Sequence, residues 1–134
     1  MIQNKIVIRY ADGRVQKGVT ADFFPNKQSF HILPVEAPQG ARPVEAHLAD
    51  VKAVFFVKEF GGNPGYKDRQ EFEPGKPVAG RKIQVKFKDG ELMIGTTNGY
   101  QPGRPGFFVS PADTASNIER CFVVTAATSE VKFI

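Results

Sequence analysis

The side chains best suited to covalent or proton-transfer chemistry are few: one cysteine, Cys121, and two histidines, His31 and His47, in 134 residues. A lone cysteine excludes an internal disulfide framework, and with only two histidines beside it no structural zinc site of the usual Cys/His kind can be assembled. Cys121 shares strand parity with Val123, which predicts a small buried hydrophobe rather than a reactive thiol. His47 and Glu45 stand on one face of a strand, the spacing of a proton-shuttling pair. No nucleophile recurs near them, so both histidines are expected at the surface or at an interface. Asp12 and Asp89 each precede a glycine, where aspartate is favoured for turn formation. The phosphate-loop, dinucleotide-fold and zinc-protease signatures do not occur, so no catalytic residue, cofactor or metal is expected.

Binding chemistry is better represented. Lys5 and Arg9, and later Arg81, Lys82, Lys86 and Lys88, alternate along two short segments in a way that turns a basic stripe outward, spaced to meet successive phosphates. The net charge of +4 is modest for a dedicated nucleic-acid binder. The loop NGYQPGRPGFF offers Tyr100 and Arg104 as a stacking platform, and ADFFPNKQSF offers Phe23, Phe24 and Lys27. Residues 58–81 contain five glycines, three prolines and nine charged residues, yet Phe60, Tyr66 and Phe72 recur there at six-residue intervals. A pure spacer has no use for three evenly spaced aromatics, so a strap packed over a surface, or a partner-docking lid, is expected.

An internal repeat positions these groups. Shifting the chain by 77 residues lays KIVIRYADGRVQKGVTADFFPNKQSFHILP over KIQVKFKDGELMIGTTNGYQPGRPGFFVSP without a gap. The match continues to Val57 and Ile134, with twelve identities over 53 positions, where composition alone gives about three. The chain divides into a first repeat (1–57), a Gly/Pro/charged linker (58–81) and a second repeat (82–134). Within each repeat the apolar period is two, the mark of half-buried strands. Ile6, Ile8 and Tyr10 face inward on the first strand, as Ile83, Val85 and Phe87 do on its copy. Asp-Gly at 12–13 and 89–90 predicts type I′ hairpins, and the mid-strand glycines 18 and 95 predict a bend where a small sheet curls. Strands are expected at 5–11, 14–24, 29–33, 43–48 and 51–57, and at the equivalent places later.

Five short strands in about 55 residues bury one core most economically by closing into a minimal barrel, and two marginal cores are expected to pack together. Outward Val7 and Phe55 in the first repeat become Gln84 and Lys132 in the second. With first and last strands adjacent, Val7 and Phe55 form an apolar patch that must meet the linker, the second repeat or another subunit.

The succession of an alternating charged strand, Lys-Asp-Gly, a bent strand with a central glycine, a short apolar strand, a polar loop and a closing hairpin resembles the Sm-like barrel. IQVKFKDGELMIGTTNGY, FFVSPAD and FVVTAATSEVKFI carry the likeness in the second repeat. The tandem unit is also similar to an uncharacterised family of small bacterial proteins. These resemblances imply an all-β fold of two tandem five-stranded SH3-like or Sm-like barrels joined by a long irregular linker. Sm proteins that bind uridine-rich RNA use an Asp/Asn loop and an Arg-Gly pair. The corresponding places here fall near Ser29 and Gly106 and in the turns LAD and TAA, so that RNA pocket is missing from both copies.

The functional expectation is a non-enzymatic binding or scaffolding module that recognises a protein partner through the linker and the loops around Tyr100 and Phe24. The alternative is an RNA or nucleotide binder using the basic stripe. Neither a secretory leader nor a run of about 18 apolar residues is evident, and a cytoplasmic protein with no membrane partner is expected.

Overall fold

The structure is a computed structural model that describes residues 3–61, 71–72, 74–75, 78–113 and 115–134. Ten strands follow one another: β1 (Asn4–Tyr10), β2 (Val15–Thr20), β3 (Ser29–Pro34), β4 (Val44–His47), β5 (Val51–Val57), β6 (Arg81–Phe87), β7 (Leu92–Thr97), β8 (Gly106–Pro111), β9 (Ile118–Val124) and β10 (Thr128–Phe133). Two single-turn 3₁₀ segments, Leu48–Asp50 and Thr125–Ala127, link β4 to β5 and β9 to β10. The protein is therefore all-β, and among the described residues no helix is long and apolar enough to cross a membrane.

Strand starts recur at an offset of 77 residues. Residue 4 begins a strand as residue 81 does, and the same holds for 15 and 92, 29 and 106, and 51 and 128. The exception is the fourth strand, which has four residues in the first half and seven in the second. The longer copy is held between two neighbours, whereas β4 lies at an edge.

All pairings are antiparallel, in the order β10-β6-β7-β8-β9-β5-β1-β2-β3-β4. First and last strands of each half are adjacent as expected, with Val7 opposite Phe55 and Gln84 opposite Lys132. Two separately closed barrels are not what forms. Among the described residues the only strand partner of β4 is β3, and β9 pairs across the halves with β5, so the two units merge into one open ten-stranded sheet. Extending a sheet across the junction satisfies the edge hydrogen bonds of β5 and β9 that closure of each half would otherwise have to satisfy.

This junction explains why both strands are apolar on both faces. Val54 and Phe56 of β5 point into a first core with Ile6, Ile8, Phe30, Ile32 and Leu48, and that core is completed by Phe122 and Val124 of β9. Ala53, Phe55 and Val57 point the other way, into a second core with Ile83, Val85, Phe87, Phe107, Val109, Cys121 and Val123. Val7 is partly buried against this second core, so the patch formed by Val7 and Phe55 meets the second half. Each core thus borrows side chains from the other half, and each buried phenylalanine contributes about 2 kcal/mol of apolar transfer.

Two local signals have specific causes. At Gly18 an added Cβ would collide with the Leu33 carbonyl oxygen, and at Gly95 with that of Ser110. These glycines let the second strand pass beneath the third at the point where their pairing begins. The hairpins differ from the type I′ expectation. Gly13 N–H donates to Tyr10 O (3.0 Å) and Tyr10 N–H to Arg14 O (2.9 Å). Gly13 has positive φ and Asp12 does not, which is a type I turn closed by a glycine bulge. Gly90 and Asp89 repeat it. Asp12 accepts from Arg14 N–H at 3.0 Å, and Asp89 from Glu91 N–H at 2.9 Å, so aspartate fixes the turn through its side chain rather than through a left-handed backbone.

Candidate functional site

A cleft of about 710 Å³ lies where the loop after β2 meets β7, β8 and β9. Its floor is Phe108 and Phe122, and Pro25 and Phe72 stand on its walls with Thr96, Asn98 and Ser110. Two arginines, Arg104 and Arg120, are the only charged side chains among its described lining residues.

The floor is set by an aromatic cluster that spans the junction. Phe23 makes edge-to-face contacts with Phe30, Phe56 and Phe122 at centroid distances of 5.0, 5.5 and 5.1 Å. Phe108 stands 5.2 Å from Phe122 and 6.0 Å from Phe56. Arg120 lies over this cluster, its guanidinium 4.4 Å from the Phe56 ring centre and 4.7 Å from that of Phe108. No carboxylate pairs with it among the described residues. Two ring faces thus hold a planar cation in place, leaving its N–H fork for an anion.

Several expected interaction residues are placed apart. Arg104 and Phe72 line the cleft. Phe23 is not an open stacking platform but part of the buried junction, while Phe24 remains exposed beneath Lys27 Nζ at 5.0 Å. Tyr100 packs on Phe107 (4.7 Å) and Phe133 (6.0 Å) against the second core. Phe60 is tied down: Lys17 Nζ donates to its carbonyl at 2.9 Å, and Lys58 N–H and Glu59 N–H bond to Asn117 at 2.9 and 3.0 Å. Tyr66 lies outside the described residues.

The basic stripe is largely engaged within the molecule. Arg9 pairs with Glu91 at 3.3 Å and lies over Phe55. Lys5 covers Phe60, Lys82 covers Phe72 and Arg81 sits 3.5 Å from the centre of Phe133. Lys86 and Lys88 make no ion pair among the described residues. In the sheet, β1 and β6 are separated by β5, β9, β8 and β7.

Sequence reasoning missed two residues. Arg120 was hidden inside an apolar strand, although an arginine in IERCFVV aligned with Pro43 is the signal that marks it. Lys52 was also hidden. Its side chain is only 8% exposed, with Nζ 2.7 Å from Asp89 Oδ2 and 3.0 Å from Glu91 Oε2, and 4.6 Å from the Phe87 ring centre. The Lys52 hydrogen bond holds the Asp89 carboxyl below its ordinary range, helped by the Glu91 N–H.

The remaining titratable groups have local explanations. Asp22 accepts from the His31 backbone N–H at 2.8 Å and lies 2.6 Å from His31 Nδ1. Burial alone would raise the Asp22 carboxyl, but these His31 contacts and Thr20 hold it low. His47 Nε2 is 3.1 Å from Glu45 Oε1 on the exposed edge strand. Burial pushes the Cys121 thiol up, away from the thiolate form.

No curated protein and no solved structure matches the chain. A family model does match, over residues 2–134, and it spans both halves and the segment between them. The chain therefore belongs to DUF6982, a family of unknown function.

Proposed function

We propose that the protein is a non-enzymatic binding module. In this reading it consists of two curled five-stranded units of the SH3-like or Sm-like type fused through one sheet, and the Arg104/Arg120 cleft recognises an acidic segment of a partner protein. The order β5-β1-β2-β3-β4 recurs as β10-β6-β7-β8-β9, which supports two copies of one small-barrel unit. The observation that carries the ligand assignment is the Arg120 guanidinium, stacked on Phe56 and Phe108 with no carboxylate beside it among the described residues.

The cleft's polar side chains are guanidiniums, hydroxyls and an amide. Such groups orient a carboxylate and its neighbours rather than exchange protons with them near neutral pH. Phe72, Pro25 and Phe108 supply the apolar walls that a peptide side chain needs. The RNA or nucleotide reading has less support, because Lys5, Arg9, Arg81 and Lys82 are already committed to ring faces or to Glu91.

Selection from a displayed library of random twelve-residue peptides tests the proposal. Enrichment of sequences with a Glu or Asp flanked by apolar residues is expected, with affinity falling at least tenfold in Arg120→Glu and in Arg104→Glu. Enrichment without acidic residues, or binding of oligouridine RNA that falls steeply with salt while no peptide binds, overturns it.

A further inference from the structure

The repeat makes the two ends of the sheet comparable, and one end lacks what the junction has. At the junction, Phe23 and Phe56 of the first half form an aromatic pair 5.5 Å apart. It is roofed by Phe108 and Phe122, and Arg120 lies over Phe56. The corresponding residues of the second half, 77 positions on, are Tyr100 and Phe133, 6.0 Å apart. Among the described residues no strand covers them. Beyond β6, β10 has no neighbour among the described residues, and Phe133 is 39% exposed. Arg81 lies over Phe133 much as Arg120 lies over Phe56, and it has no carboxylate partner among the described residues.

The backbone there is ready for another strand. Ile134 N–H bonds to Lys82 O at 3.0 Å, and Lys132 and Phe133 stand opposite Gln84 and Ile83. In an antiparallel ladder this alternation directs the N–H and C=O groups of Val131 and Phe133 away from β6, toward the open edge.

We propose that the β10 edge is a strand-addition site, at which an extended acidic segment of a partner protein pairs with β10 and seats apolar side chains on Tyr100 and Phe133, repeating the way β9 lies on β5. The junction fixes the chemistry of the guest. Arg120 is the register partner of Phe56, Cys121 that of Phe55 and Phe122 that of Val54. The equivalent hosts at the open edge are Phe133, Lys132 and Val131. Opposite Phe133, under Arg81, the guest carries a carboxylate. Opposite Lys132 it carries a second one, in competition with the 3.7 Å pair that Lys132 makes with Glu130. Opposite Val131 it carries an aromatic or large aliphatic residue that packs on Tyr100. This site uses neither Arg104 nor Arg120 and stands independently of the cleft reading.

The probe is a synthetic peptide with the sequence of residues 117–125, carrying Arg120→Glu and Cys121→Glu, added to the whole isotope-labelled protein. Binding is expected to shift the amide signals of Val131 and Phe133. Affinity, read from the Val131 and Phe133 signals, is expected to fall at least tenfold in Phe133→Ala and in Arg81→Glu. A peptide N-methylated at the amides facing β10 is expected not to bind, a control that requires no change in the protein. No shift at millimolar peptide, binding indifferent to N-methylation, or sedimentation showing the edge filled by a second copy of the chain each overturns the proposal.

Discussion

Lys52 Nζ stands 2.7 Å from Asp89 Oδ2, so an ammonium carried by the last strand of the first half is held by the first hairpin turn of the second. Glu91 joins from the same turn at 3.0 Å and is shared with Arg9 at 3.3 Å. Because the Lys52 side chain is buried against Phe87, removing its partners leaves an ammonium with little water to replace them. Lys52→Ala is expected to cost about 1–3 kcal/mol, and Lys52→Met less, since Met keeps the apolar stem packed on the ring. Urea unfolding of the two variants measures this, and equal losses would place the effect in the lost charge rather than in packing.

The same pair gives a pH dependence. The Asp89 carboxyl is held below its ordinary value chiefly by the Lys52 hydrogen bond. A carboxylate lowered on folding contributes stability that is present above the unfolded pKa of about 4 and is lost as pH falls through the folded value. Asp89→Asn is therefore expected to be less stable than the parent at pH 7 and to converge with it toward pH 2. A constant difference across that range would remove the carboxylate from the account.

The shared cores predict an asymmetric exchange. Phe55 and Lys132 occupy equivalent places, one 5% exposed in the second core and the other on the open face of β10. Phe55→Lys buries a charge without a partner and is expected to prevent cooperative folding. Lys132→Phe is expected to fold normally and, through the new apolar surface, to self-associate. Thermal melts with sedimentation distinguish these outcomes.

Gly18→Ala and Gly95→Ala each drive a methyl group into a backbone carbonyl of the adjoining strand. Each is expected to cost about 1–3 kcal/mol, whereas at Gly61 an added Cβ meets nothing within 4 Å and Ala there is expected to be neutral. Denaturant midpoints compare all three.

Cys121 is wholly buried in the second core, and burial disfavours its thiolate. Thiol-specific reagents are expected to leave the native protein unlabelled and to react at a rate set by opening of the sheet. Labelling as fast as that of a free thiol in the absence of denaturant would contradict the packing.

Much of the strand pattern was legible because its period is local. Ile6 and Ile8 alternate with Lys5 and Arg9, and Gly18 and Gly95 mark a backbone crossing through their lack of a side chain. The replacement of Val7 and Phe55 by Gln84 and Lys132 marked an apolar patch in the first half alone, with the linker, the second half and another subunit all open as its cover; Phe55 lies in the second core and Val7 packs against it. The other side of the junction was present in the alignment as well: His31, Glu45 and His47 become Phe108, Phe122 and Val124, apolar residues at outward positions. What no short window can express is that β5 pairs with β9, because register between strands more than sixty residues apart depends on two complementary surfaces and not on either one. Arg120 and Lys52 were illegible for the same reason. Each is charged within an apolar strand, and the rings and carboxylates that accommodate them come largely from the other half of the chain.

The first half receives Phe122 and Val124 from β9, more than sixty residues beyond β5 in the sequence. During synthesis its hydrophobic interior therefore remains unroofed until β9 has left the ribosome, and a nascent product truncated before β9 would present β5 as a bare sticky ribbon. Folding should consequently be a late, single concerted event governed by distant contacts, slow for a molecule of this size.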